Sequence, residues 1–189
     1  MELLRGGELF DRICGRSIFT EEEAFRIIYP LTDCLCYLHR MGIIHRDIKV
    51  RSDWNTLSKP ENILCKDSLF DVKIGDFGLS KLVFPDEKLD YPCGTLNYIG
   101  REREVKWSIA PEVISKQGYT TKADMWSLGV IFYLLLTLLA EFMSRLRGRL
   151  PFDGDRQETI IKAIVTAQPD YNNSAFLNLS YNVRYSGVD

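Results

Sequence analysis

The chain has 189 residues, enough for one domain with a sizeable core. Its hydrophobic content of 46% and charged content of 26% place it among ordinary globular chains rather than disordered or fibrous ones. A formal net charge of −2, with no long basic run, argues against nucleic acid or an anionic membrane surface as a partner.

ELFDRIC at 8–14 reads as a short helix closed by a turn at Gly15. Acidic and basic residues interrupt this opening stretch, so no secretory signal is expected. Thr20 then offers an N-cap, followed by three glutamates in a first turn, to a helix EEEAFRIIYPLTDCLCYLHRMG that ends at Gly42. Phe25, Ile28, Leu31, Leu35 and Leu38 recur at helical spacing and predict its buried face. Pro30 predicts a kink or a local irregularity. NILC at 62–65 and VKIGD at 72–76 read as two short strands, and APEVIS at 110–115, ADMWSLGVIFYLLLT at 123–137 and RQETIIKAIVTA at 156–167 as helices. The apolar run VIFYLLLTLLA at 130–140 is too short to span a bilayer and predicts a helix buried in the domain. Cys34 and Cys36, one residue apart on a helix, point to different faces and have no His or Cys pair nearby, which makes them core filler rather than metal ligands. Five cysteines without framework spacing imply reduced thiols and a cytoplasmic or nuclear setting.

Three charged motifs stand in order: HRD at 45–47, PEN at 60–62 and DFG at 76–78. Phosphoryl transfer asks a protein for little covalent chemistry. It needs a group to orient the attacking hydroxyl and oxygen ligands for the Mg²⁺ on the nucleotide phosphates. Asp47, a lysine after it, Asn62 and Asp76 supply that set. A lone Asp or Asn is usually a turn or cap residue, and His45 alone would read as a hydrogen-bonded structural histidine. The order of the motifs reverses that reading. With CGTLNY at 93–98, APE at 110–112, DMWSLGV at 124–130 and LPFDG at 150–154, the chain resembles the eukaryotic protein kinases. MELLRGGELFDRI, FDVKIGDFGLSKL and GYTTKADMWSLGVIFYLLLT resemble the calcium/calmodulin-dependent and calcium-dependent serine/threonine group.

The resemblance implies an α+β, mainly α fold: residues 1–179 as the C-terminal lobe of a kinase, without the β-rich N-terminal lobe. Asp47 would accept the substrate hydroxyl proton, and Asn62 and Asp76 would ligate Mg²⁺ beside ATP. Either Lys49 or Lys59 would neutralise the transferred phosphoryl group. Glu2 and Leu3 would form the hinge strand whose backbone meets adenine, with Leu64 as the apolar floor. Glu8 and Glu61 match positions that contact ribose or a basic substrate residue, implying protein substrates with Ser or Thr near basic residues; the other reading of both is a solvated carboxylate. Thr95 would bridge Asp47 and the lysine, and Asp124 would hold the 45–49 loop from beneath. Arg46 implies an activation segment that pairs with a negative charge. Asp86, Glu87 and Asp90 could supply that charge without phosphorylation; the other reading is a solvated acidic loop. No EF-hand loop occurs in the chain, and calcium or calmodulin regulation is not legible in it.

No GxGxxG loop and no VAIK-like strand lysine is present, so an expected roof over ATP is missing and the chain alone is expected to be a poor catalyst. Three ten-residue segments are extra. The HRDxxxxN pattern puts Asn five residues after Asp, whereas 62 − 47 is fifteen here. Residues 50–59, 100–109 and 138–147 each interrupt a motif, and 180–189 fits no kinase helix. Insertions are normally tolerated at exposed loop tips, not inside a catalytic loop. They are expected to be translated introns; Val50-Arg51 and Val183-Arg184 can both be encoded by GTAAGA, a splice-donor start. The alternative is a catalytically inactive interaction module, with Trp54 and Trp107 as anchors.

Overall fold

Thr20 starts a helix because it closes a reciprocal pair of hydrogen bonds. The Glu23 amide donates to its hydroxyl (3.2 Å), and the Thr20 amide donates to the Glu23 carboxylate (2.8 Å). Helix α2 (Glu21–Arg40) follows, with three glutamates against the positive end of its dipole. It stops where Gly42 turns left-handed (φ 72°) and donates its amide to the His39 carbonyl (3.0 Å). A Cβ on Gly42 would come within 2.7 Å of the Val83 carbonyl oxygen, so this close approach also requires glycine.

The computed structural model describes residues 3–14, 20–49, 62–84, 87–90, 108–141, 152, 157–166 and 180. In chain order the elements are α1 (Leu9–Cys14), α2, β1 (Ile43–Ile44), β2 (Ile63–Cys65), β3 (Val72–Ile74), a 3-10 turn (Phe77–Leu79), β4 (Lys81–Leu82), α3 (Pro111–Ile114), α4 (Lys122–Glu141) and α5 (Gln157–Val165). Strands β2 and β3 form an antiparallel pair in the register Ile63↔Ile74, Leu64↔Lys73, Cys65↔Val72, and β1 pairs with β4. Two-stranded ribbons are marginal alone. These rest on helices: β1 and β3 pack on α2, and β2 on α1.

The main core lies where α4 crosses α2. Leu31 and Leu35 of α2 and Ile131 and Leu135 of α4 are all at most 1% exposed. From Val130 to Leu136 only Phe132 is less than fully buried, as expected of a helix apolar on every side. Among the described residues, no helix is long and apolar enough to cross a membrane. A second, smaller cluster joins Ile44, Leu89, Ala110, Tyr119 and Ala123. Phe152 of the LPFDG motif is buried and stacks on Trp126 with ring centroids 5.5 Å apart.

The mixed, mainly helical architecture matches expectation, with differences of detail. The buried face of α2 is Ala24, Ile27, Leu31, Leu35 and Leu38; Phe25 is 45% exposed and Ile28 only half-buried. Phe25 sits on the flank of that stripe and meets Phe132 edge-on at 5.1 Å. The helix continues through Pro30, which lacks the amide for one in-helix bond. Helix α4 runs to Glu141, into the extra segment 138–147, because Leu138, Leu139, Ala140 and Glu141 are all good helix formers. The extra segment 50–59 and residues 100–107 and 142–147 lie outside the described residues. Of the tail, Ser180 is described: its amide and hydroxyl both donate to the Glu21 carboxylate at 2.7 Å. Cys34, Cys36 and Cys65 are not in disulfides, and the Cys65 thiol donates to the Leu69 carbonyl (4.0 Å). Burial, then the neighbouring Asp33 charge, pushes the Cys34 thiol up in pKa, which suits filler rather than a nucleophile.

Thr20→Ala removes one half of the capping pair and leaves the α2 core untouched. We expect a loss of about 1 kcal/mol, read as a fall in Tm of about 2–4 °C for a chain of this size. An unchanged melting curve would show that the cap contributes nothing.

Candidate active site

Asp124, in the first turn of α4, is 1% exposed, and a charge so buried must be matched by donors. Oδ2 accepts from the His45 amide and from His39 Nε2, and Oδ1 from the Arg46 amide, each at 2.9 Å. The carboxylate thus grips the backbone of the 45–49 loop, as expected of a residue holding that loop from beneath. It also holds Arg46 in a left-handed conformation (φ 68°), which costs a non-glycine residue about 1–3 kcal/mol.

His45 is fully buried. Its Nδ1 accepts a long bond from the Asp47 amide (3.4 Å), so the ring proton is on Nε2, which donates to the Gly75 carbonyl (3.0 Å). With both nitrogens engaged, the ring is a spacer between two loops rather than a base. The edge-to-face contact with Phe77 at 4.8 Å completes its surroundings.

Asp47, Lys49 and Asn62 come together although ten extra residues separate Lys49 from Pro60. Lys49 Nζ donates to Asp47 Oδ2 (2.6 Å), and Asn62 Nδ2 donates to Asp47 Oδ2 (2.9 Å) and to its carbonyl (2.7 Å). The Asn62 amide donates to the Lys49 carbonyl (3.4 Å), which closes the neck of the interrupted loop. Gly75 is fixed on two sides: its amide donates to the Asn62 carbonyl (2.8 Å) and its carbonyl accepts from His45. Asp76, next in the chain, is exposed and left-handed (φ 56°), with Oδ1 accepting from the Gly78 amide (3.2 Å). With the Asn62 amide nitrogen spent on Asp47, its carbonyl oxygen is the group left to offer a ligand. That oxygen and the exposed Asp76 carboxylate are hard donors of the kind Mg²⁺ takes when it also keeps waters and phosphate oxygens. The donor set therefore fits the ion.

Leu64 is half-buried on β2 between two buried neighbours, so it faces away from the main core. Glu8 bridges to Leu64 by backbone pairing and is half-buried, and Leu3 is 73% exposed. Glu2, Lys59, Glu61 and Thr95 lie outside the described residues.

The Arg46 side chain finds neutral acceptors. Nε donates to the Leu79 carbonyl (2.6 Å), and Nη1 to the Tyr119 hydroxyl (3.4 Å). Glu87, one of the carboxylates expected to serve Arg46, is instead spent locally: it accepts from the Phe84 amide (3.0 Å) and from Lys81 (3.3 Å). Those bonds, the Phe84 amide first, hold its carboxyl below the ordinary pKa. Asp90 is exposed and Asp86 lies outside the described residues. His39, Gly75 and Tyr119 escaped the sequence reading because their contacts cross 30 to 85 positions of chain, and no local spacing signals them.

Asp124→Asn keeps the size of the side chain but turns one acceptor into a donor facing an N–H. We expect a loss of about 2–4 kcal/mol in unfolding free energy by urea titration. A loss under about 0.5 kcal/mol, the size of an ordinary surface substitution, would mean that the carboxylate is not what holds the loop.

Comparison with known proteins agrees with this geometry. A protein kinase domain model matches residues 1–180. The chain is 38% identical over 183 residues to the serine/threonine-protein kinase DCLK1 of Rattus norvegicus, covering 95% of this chain and 35% of that protein. It is 35% identical over 173 residues to myosin light chain kinase A of Dictyostelium discoideum (90% and 48%). It is 36% identical over 183 residues to a serine/threonine-protein kinase H1 homolog of Pinctada fucata (95% and 37%). The chain thus spans less than half the length of these relatives. On the motifs, the loop geometry and a match along nearly its whole length, it belongs to the protein kinase domain family.

Proposed function

We propose that this chain acts as the helical, C-terminal lobe of a serine/threonine protein kinase, moving the terminal phosphoryl group of ATP to protein hydroxyls. The observation that carries this reading is the Asp47–Lys49–Asn62 cluster, drawn together across an interrupted loop. Among the described residues Lys49 and Asn62 both occupy Asp47 Oδ2, and Oδ1 would orient the substrate hydroxyl and receive its proton. Lys49, 2.6 Å from that carboxylate, is the lysine we assign to the transferred phosphoryl group, in preference to Lys59. Mg²⁺, held by Asn62 and Asp76, would supply charge neutralisation on the nucleotide phosphates. Leu64 would underlie adenine, with the backbone of Glu2 and Leu3 at its edge. Glu8 and Glu61 would favour basic residues near the acceptor Ser or Thr. Arg46, bonded to neutral acceptors, supports an activation segment that works without phosphorylation. The setting we propose is the cytoplasm or nucleus.

The test is transfer of labelled phosphate by a full-length form from ATP to Ser and Thr peptides, with and without neighbouring arginines, before and after phosphatase treatment. We expect transfer to favour the arginine-flanked peptides and to survive the phosphatase. Asp47→Asn and Lys49→Met should each lower it by about a hundredfold or more, whereas Lys59→Met, in a form that keeps residues 50–59, should not. Transfer unaffected by Asp47→Asn would overturn the assignment of the base. No transfer from any form, with the fold intact, would favour the interaction-module reading.

We propose also that residues 50–59, 100–109 and 138–147 are absent from the mature product. Sequencing the mature transcript across residues 45–152 should show all three missing, with the motifs restored. If they persist, the segments are part of the protein and become the surface where a partner would bind.

A further inference from the structure

We propose that Tyr119 is a positioning residue for this site, holding Arg46 through its hydroxyl and thereby fixing the loop that carries Asp47. The proposal rests on the kinase reading for its effect on rate, but its geometry stands by itself. The Tyr119 ring is 5% exposed in the small core with Ile44, Leu89, Ala110 and Ala123. Its backbone exchanges two hydrogen bonds with Leu89 in the activation segment, at 2.9 and 3.1 Å. Its position follows from Gly118, whose φ of 75° and close approach to Asp90 and Lys88 leave little room for a side chain. From this fixed base the hydroxyl reaches the catalytic loop and accepts from Arg46 Nη1 (3.4 Å).

Arg46 is therefore held at three places by three segments of the chain. Its amide donates to Asp124 on α4 (2.9 Å), Nε to the Leu79 carbonyl just after the DFG turn (2.6 Å), and Nη1 to Tyr119. Because Asp47 is the next residue, any rotation of the Arg46 backbone moves the base. Displacements of about 1 Å at reacting groups can cost a hundredfold in rate. Both side-chain acceptors are neutral, so they hold the arginine whatever the charge of the activation segment. A buried phenol that served only to fill space could be replaced by phenylalanine without consequence.

Tyr119→Phe keeps the ring in the core and removes the acceptor. In the phosphoryl-transfer assay we expect kcat to fall roughly three- to tenfold with KM for ATP and peptide nearly unchanged. Amide exchange should speed up at Arg46 and Asp47 but stay as it was at Leu89, whose backbone pairing is retained. In an Arg46→Lys background, which lacks the guanidinium fork, the same substitution should have no further effect on kcat. Unchanged kcat in Tyr119→Phe, or an equal fall in both backgrounds, would overturn the proposal. If the unsubstituted protein transfers no phosphate, the functional reading fails while exchange still decides this one: unchanged rates at Arg46 and Asp47 in Tyr119→Phe would overturn it.

Discussion

A single buried carboxylate determines how the rest of this site is built. Burying a carboxylate costs several kcal/mol, and at Asp124 three donors converge to offset it. Hydrogen bonds to a charged group contribute about 1.5–3 kcal/mol each, so the three together offset that cost. Two of the donors are consecutive backbone amides, at His45 and Arg46. The bargain therefore sets not only where the chain passes but how it turns, including the unfavourable left-handed conformation at Arg46. Because α4 is apolar on almost every side below Asp124, its packing against α2 leaves the carboxylate little freedom to move.

From that anchor the order passes outward through hydrogen bonds. His45 spans from the 45–49 loop to Gly75, Gly75 pairs with Asn62, and Asn62 returns to Asp47. This circuit explains how the neck of the loop closes here with ten additional residues between Lys49 and Pro60. Lengthening a closed loop from about five to about fifteen residues adds only about 1 kcal/mol of closure entropy. The bonds of Asn62 to Asp47, one of them to a charged oxygen, are of at least that size. The neck at Lys49 and Asn62 closes on local chemistry, and the length of chain between them is a secondary matter. The same argument shows why motif order survives as a signal even where motif spacing does not.

Among the described residues, the Arg46 side chain organises its surroundings through neutral acceptors. Glu87, one of the acidic residues expected to serve it, instead satisfies the Phe84 amide and Lys81 within its own turn, six residues of chain at most from its partners. A short-range bond forms at little entropic cost and outcompetes a distant one. Among the described residues the guanidinium donates to a carbonyl and a phenol supplied by the fold.

Much of this was legible in the residues themselves. The N-cap at Thr20, the end of α2 at Gly42, the buried character of α4 and the order of Asp47, Asn62 and Asp76 all follow from local pattern, because capping, helical period and motif order act within a few residues. Strands β1 and β4 were invisible, since two residues carry no alternation and pairing alone makes them strands. Phe25 is apolar and correctly spaced for the buried face, yet which flank of a helical stripe is covered depends on where the facing helix lies. The partners of Asp124, the tautomer of His45, the contact of Lys49 with Asp47 and that of Tyr119 with Arg46 belong to tertiary structure alone. Each joins groups whose proximity is set by the packing of α4 on α2 and by loop closure, and these are long-range constraints that no stretch of sequence contains.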